Sequence, residues 1–358
     1  MQVHYARVPR AGLTADERRR QIRFWRGGLS DKKTVMKTRI IILGAVVLLV
    51  IAAWAGGWYF FAGQIRQQVE ALAFADGETS PQLSCAELSV SGFPFAFDVE
   101  CSGASIVSGD LLVEIPGIRA SALAYRPNHI LASALGPARL ADAFTGQRSA
   151  VAWTGLEASL RLENGRIARL SLVGRNVDWT DSLFGDAPIA GTPHVEAHLL
   201  DMPEAHDPDR HLAALAVFLR AEALEAPGLS IAGADAEIEA EITGLPDDVG
   251  AWGAVPFLPA WQQAGGVLRI VGIRASDETA RLDASGEMAL DAQGYPAGTL
   301  NIQSTGVAER IGPMIEEPWR TLVLGVPGAD GSHTNQINFH GGAVSSGLVP
   351  IGAVPPLF

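Results

Sequence analysis

The densest run of metal-ligating side chains in the chain is TPHVEAHLLDMPEAHDPDRH, from Thr192 to His211. In an extended strand His194, Glu196 and His198 project from one face at i, i+2 and i+4. Imidazole and carboxylate donors together suit zinc or manganese. His206, Asp207, Asp209 and His211 follow in what reads as a loop. Against a metal stand the absence of a helical H-E-x-x-H arrangement and the alternate positions Val195, Ala197 and Leu199, which are those of a core-facing side. The plainer reading is a solvated strand face, with no metal and no cofactor. Carboxylate pairs can also hydrolyse glycosides, but 36 acidic residues after the first 39 positions make close pairs unavoidable. Trp153, Trp179, Trp252, Trp261 and Trp319 can line a cleft for carbohydrate or lipid, or fill a core as large aromatics more often do.

Other chemistries lack their residues. GxxxxGK[ST], GxGxxG and GxSxG are all missing, and all three lysines (Lys32, Lys33 and Lys37) precede residue 40. The remainder therefore has no lysine for a P-loop or a Schiff base. Two cysteines cannot make a zinc finger. No catalytic residue is assigned, and the expectation is a protein that is not an enzyme.

The elements around these residues begin with an uncharged run of 24 residues, Ile40 to Gly63, reading IIILGAVVLLVIAAWAGGWYFFAG. A bilayer core needs roughly 20 helical residues, and Trp54, Trp58 and Tyr59 lie toward one end as an interfacial belt would. Residues 1–39 carry eleven basic against three acidic side chains, and the rest sixteen against 36, so a net +8 is followed by a net −20. Positive flanks stay in the cytoplasm, which predicts a single-pass membrane protein with its N-terminus inside and residues 64–358 outside. A cleaved signal peptide is the rival, but its apolar region should span only ~7–15 residues. The expected divisions are 1–35, a basic cytoplasmic tail or a misassigned start ahead of Met36; 36–63, the anchor; 64–81, a juxtamembrane helix stopped by Gly77 and a linker; and 82–358, a β-rich body. Its possible halves are 82–247 and 248–358. The acidic body disfavours nucleic acid.

Outside the cytoplasm thiols tend to pair. Cys85 and Cys101 are equidistant from Phe93, so a hairpin with Gly92-Phe93-Pro94 at its tip would set them opposite one another and allow a disulfide; two buried free thiols are the alternative. Beyond Gly77 the dominant period is two. In AEIEAEIT, Ala236, Ile238, Ala240 and Ile242 alternate with Glu237, Glu239, Glu241 and Thr243, a strand with one apolar and one wet face. Asn164-Gly165 supplies a type I′ hairpin turn, a second hairpin turns near Gln293-Gly294, and further strands are expected at 105–115, 117–125, 193–200, 211–228, 267–275 and 335–340. Helix is expected only within 250–264 and 307–322. The fold class is mainly β: one N-terminal transmembrane helix, then a large curved antiparallel sheet or sandwich built from hairpins, with few short helices.

An anchor, a short helix and then LSVSGFPFAFDV, with Trp261 beside Gly265-Gly266, GEMALDAQGYPAG from Gly286 to Gly298 and GLVPIGAVPPL from Gly347 to Leu357, resemble the bacterial membrane-anchored DUF 2125 family. More distantly, the layout is similar to AsmA-like envelope proteins. The first resemblance implies a bacterial inner-membrane envelope protein with its bulk facing the periplasm, of unassigned activity and with no catalytic residue to carry over; the second implies an association with lipid homeostasis. The leading expectation is a periplasmic module that offers an apolar sheet face to lipid or another amphiphile. The alternatives are a structural or protein-interaction module of the envelope with a packed core and, third, a hydrolase. Partners are the membrane through 40–63 and lipid or envelope proteins.

Overall fold

The computed structural model describes the backbone of residues 15–77, 80–183, 185–252, 256–316 and 319–358, with side chains from Lys37 onward except at 251 and 314. Two compact units divide at Phe60/Phe61. Helix α1 spans Ala15–Ala71 and ends in a 3-10 turn, Leu72–Phe74. It begins well before Met36, so the helix takes in part of the basic stretch; residues 1–14 lie outside the described residues. Its segment Lys37–Phe74 is long and apolar enough to cross a membrane.

The second unit is one antiparallel sheet. Its strands are β1 (Gln82–Ser91), β2 (Ala96–Ser108), β3 (Leu111–Leu123), β4 (Arg126–Leu135), β5 (Ala138–Asp142), β6 (Arg148–Ala152), β7 (Gly155–Glu163), β8 (Arg166–Asp181) and β9 (Ala187–Asp201). They continue as β10 (Leu212–Ala226), β11 (Ile231–Pro246), β12 (Val267–Ser276), β13 (Arg281–Leu290), β14 (Pro296–Thr305), β15 (Val326–Pro327), β16 (Ser332–His340), β17 (Ala343–Ser346) and β18 (Val349–Ala353). β4 and β5 both pair with β3, on either side of Gly136-Pro137, and act as one interrupted strand. β6 and β7 pair in the same way with β8, on either side of Trp153-Thr154. With these merged, each long strand pairs with the next in the chain from β1 to β18, an unbroken meander. The β11–β12 ladder joins the two stretches 82–247 and 248–358 directly.

Local chemistry sets the turns. Asn164 and Gly165 both have positive φ, 53° and 80°, as a type I′ turn requires. The expected strand 105–115 is corrected: Ser108 pairs with Leu111 across Gly109-Asp110, with Gly109 at φ 57°, so the chain reverses inside that stretch. The 211–228 segment is the strand β10, paired on both sides despite its Ala/Leu content. Among the described residues beyond α1, helix is confined to α2 (Phe257–Gln263), α3 (Val307–Ile311), α4 (Trp319–Leu324) and short 3-10 turns.

The sulfurs of Cys85 and Cys101 lie 1.99 Å apart, at disulfide distance, but the expected direct opposition is corrected. The register pairs Cys85 with Ala104 and Cys101 with Leu88. Ser91 pairs with Asp98, which centres the hairpin between Pro94 and Phe95 rather than on Phe93. The pairing is interrupted at Ala86/Gly103, and Gly103 has φ 59°. This kink brings the two Cα atoms to 5.3 Å.

The described core is small. Ile167, Leu215, Leu245 and Trp261 form its buried cluster, with Leu160, Leu170, Leu199, Ile242 and Leu268 packed against it. Trp261 sits on α2, in the connection from β11 to β12, and its indole N–H donates to Thr243 O at 2.7 Å. A Cβ on Gly266 would fall 2.1 Å from the Trp261 ring nitrogen, so glycine is needed for the indole to lie there. Gly266→Ala is expected to lower stability by about 1–3 kcal/mol through overpacking, read by urea denaturation. Cys85→Ser should cost about 3 kcal/mol by releasing a 16-residue loop, and reduction of the wild type should match it.

Candidate functional site

Alternation along each strand and direct pairing between strands divide the side chains between two faces. One row of opposed residues runs Val99, Ala120, Ala132, Ala158, Leu172 and Ala197. It continues through Leu219, Ile238, Ile273, Ala284 and Ile302. No polar side chain interrupts it until Asn335 on β16. Rows on either side are also apolar, for example Ile130–Leu160–Leu170–Leu199–Val217–Ala240 and Ile118–Ala134–Leu156. With strands about 4.8 Å apart, the stripe extends about 48 Å along the sheet.

Little covers this stripe. Of the eleven residues in the central row only Ala284 is buried, at 9 % exposure; Leu172 and Leu219 are 39 % and 38 % exposed. Aliphatic side chains enclosed between two packed sheets would be buried throughout. Alanine is a poor strand former, yet five of the eleven positions are alanine, which keeps the middle of the stripe shallow. Trp261 and its connection cover one end of strands β7 to β13. α4 is held over the β14–β16 region by Asn335, whose amide donates to Leu322 O and Val323 O at 2.9 Å. A cleft of about 870 Å³, lined in part by Ile273, Ala284, Ile302, Leu322 and Asn335, remains there. A second, almost wholly apolar pocket of about 430 Å³ lies over β2 to β4.

The opposite face is charged. Its matching row reads Glu100, Arg119, Ser133, Glu157, Val173, Glu196, Arg220, Glu237, Arg274 and Asp283. Arg119–Glu100 at 2.9 Å and Arg274–Glu237 at 2.7 Å are ion pairs between adjacent strands. The Arg274 guanidinium is held above its usual pKa by its hydrogen bond to Glu237 and the charge of Glu239.

His194, Glu196 and His198 project together on this charged face, as their spacing predicts. Glu196 Oε2 lies 3.2 Å from His198 Nε2 and 4.0 Å from His194 Nε2, and the His198 ring stacks on Phe218 at 6.1 Å. The downstream residues do not join them: His206 bonds Asp201 at 2.7 Å, and His211 faces Asp247 at 3.5 Å. Among the described residues no group of three or more side chains converges in a metal-holding arrangement. The tryptophans are scattered. Trp261 is core, Trp153 and Trp252 donate to Ala134 O and Pro246 O, and Trp179 and Trp319 are 40 % and 49 % exposed. The residues missed by sequence reasoning are the alanines and leucines of the stripe. Their signal was the same alternation seen in AEIEAEIT, repeated with smaller side chains.

The segment bearing α3 and α4 is tied to the sheet by Asp277. Its Oδ1 accepts from the backbone N–H groups of Thr279 and Ala280 at 2.8 Å, and Oδ2 accepts from Arg310 at 2.6 Å. The Thr279 amide and then the Arg310 guanidinium hold the carboxyl well below the ordinary carboxylate range. A depressed folded pKa gives stability that is present above the unfolded value of ~3.9 and lost as pH falls toward the folded one. Asp277→Asn is therefore expected to melt lower than wild type at pH 7, with the gap closing below about pH 4; thermal melting across pH 2–7 measures it.

A family model described as an uncharacterized protein conserved in bacteria (DUF2125) matches residues 58–355. No curated protein and no solved structure matches. The matched stretch contains every strand of the sheet and both covering connections, and the chain belongs to the DUF2125 family.

Proposed function

We propose that this protein is a non-enzymatic, membrane-anchored module that holds the acyl chains of lipid, or a similar amphiphile, on the apolar stripe of its sheet. The carrying observation is that one row of aliphatic side chains runs across eleven strands, flanked by further apolar positions, and that among the described residues only Ala284 of that row is buried. Burying exposed apolar surface gains roughly 25 cal/mol per Å², and exposed apolar patches of this extent on a soluble body mark a binding surface. The small described core disfavours the alternative of a packed structural module, and no described cluster of catalytic groups lends support to a hydrolase.

In this reading α1 anchors the chain in the bacterial inner membrane, with the basic N-terminal stretch in the cytoplasm and the sheet in the periplasm. The charge change from +8 to −20 across the apolar run supports that orientation. Pairing of Cys85 with Cys101 fits an oxidising compartment.

The full chain in nanodiscs of phosphatidylethanolamine and phosphatidylglycerol, doped with a phospholipid bearing a diazirine on its acyl chain, tests the proposal. Light is expected to yield lipid adducts on Ala197, Leu219 and Ile238. Leu219→Asp should lower that yield at least about fivefold, equivalent to ~1 kcal/mol. Adducts confined to α1 would reject the reading.

A further inference from the structure

The 430 Å³ pocket over β2 to β4 is the first section of the stripe. Val99 and Ala120 in its wall follow Val90 of β1 at the start of the central row, and Ala122 and Ile130 belong to the row beside it. The rest of the wall includes Phe61 and Ile65 of α1, one helical turn apart. Phe61 lies inside the uncharged run, and Ile65 is two residues beyond its end at Gly63, about 3 Å of helix rise. The run of 24 residues is about 36 Å long as a helix and exceeds a hydrocarbon core of about 30 Å. A helix that spans with this run therefore sets Phe61 and Ile65 where acyl chains meet head groups.

The pocket offers nothing to a head group. Its one side-chain hydroxyl, Ser121, sits on the charged face and donates to Asp98. The neighbouring Arg66 donates to Leu88 O at 2.6 Å and pairs with Glu70 at 3.7 Å. What fits such walls is the hydrocarbon part of a lipid, with its polar end left outside.

We propose that this pocket is the port through which one acyl chain of a bilayer phospholipid passes from the membrane onto the stripe. The proposal rests on the reading of the stripe as a lipid-binding face, and adds where the chain enters and that entry ignores the head group. The occupant follows from position: the port's helical wall is the continuation of the apolar run, and its sheet wall is the start of the apolar rows.

The test uses the full chain in nanodiscs with the same diazirine phospholipid, carried once on a phosphatidylethanolamine and once on a phosphatidylglycerol head. Wild type is expected to give adducts at Val99 and Ala120 as well as at Leu219 and Ile238, in similar yield for both heads. Ala122→Trp fills the pocket and should reduce adducts at all four positions at least about tenfold. Ala236→Trp, placed in mid-stripe, should leave those at Val99 and Ala120 unchanged. Ile65→Ser alters only the helical wall and should lower the Leu219 yield severalfold, which keeps the test open if Ala122→Trp melts early. Mid-stripe adducts at wild-type yield in a folded Ala122→Trp or in Ile65→Ser overturn the port while leaving the stripe as a lipid face. So does a preference above about tenfold for one head group. Absence of adducts on the sheet in wild type rejects both.

Discussion

The register of the meander is the constraint on which everything else depends. In a strand the side-chain period is two, so a slip of one residue would turn a whole row of valines, leucines and isoleucines toward the charged face. Nearly every long ladder joins strands consecutive in the chain, so this registration is built from local reversals, each closing a short loop at modest entropic cost. The ion pairs on the other face are exposed, and each contributes little on its own. Their placement opposite one another, as in Glu100–Arg119 and Glu237–Arg274, nevertheless makes the slipped register worse, because it would set these charges among aliphatic neighbours.

A sheet of this size has two edges and two faces to protect, and the chain treats them differently. The β1 edge is met by Arg66, which bonds Leu88 O, and by the 3-10 turn, whose Ala73 O accepts from Gln82. β18 contains Pro350 and ends before Pro355-Pro356, residues that cannot donate to another strand. The last residues fold back, with the Leu357 N–H donating to Gly294 O. Both edges thus carry features that discourage further pairing. Among the described residues the apolar face has Phe61 and Ile65 of α1, the Trp261 connection and the α3–α4 segment against its ends, and these leave the alanine-rich middle open. An uncovered face between blunted edges favours a ligand that lies on the sheet over one that extends it.

The polar constellation around Glu196 shows how a chemically suggestive spacing becomes ordinary in place. Its imidazoles and carboxylate share a face because any i, i+2, i+4 set in a strand does. They pair with one another and lie across the ladders from Arg220, Glu222 and Phe218, a setting that belongs to the charged face of the sheet. Asp277 is more consequential. It closes the β12–β13 turn and reaches Arg310, so one carboxylate fixes both a hairpin and the segment that flanks the cleft.

The alternation of apolar and polar residues, the Asn164-Gly165 turn and the uncharged run from Ile40 were legible in the chain itself, because each depends only on neighbours a few positions away. That is why a mainly antiparallel β body after one apolar helix could be read from spacing. The offset of Cys85 from Cys101 was not legible, since a Gly103 kink and a hairpin centre 1.5 residues past Phe93 depend on backbone torsions that spacing does not encode. Nor was the reversal at Gly109-Asp110, where apolar residues on both sides continue the strand pattern. Above all, the sequence determined which side chains share a face of their own strand, while only the tertiary structure decided that eleven such strands align into one stripe and that little packs over it. Covering a face requires contacts between residues far apart in the chain, and no local period records whether those contacts are made.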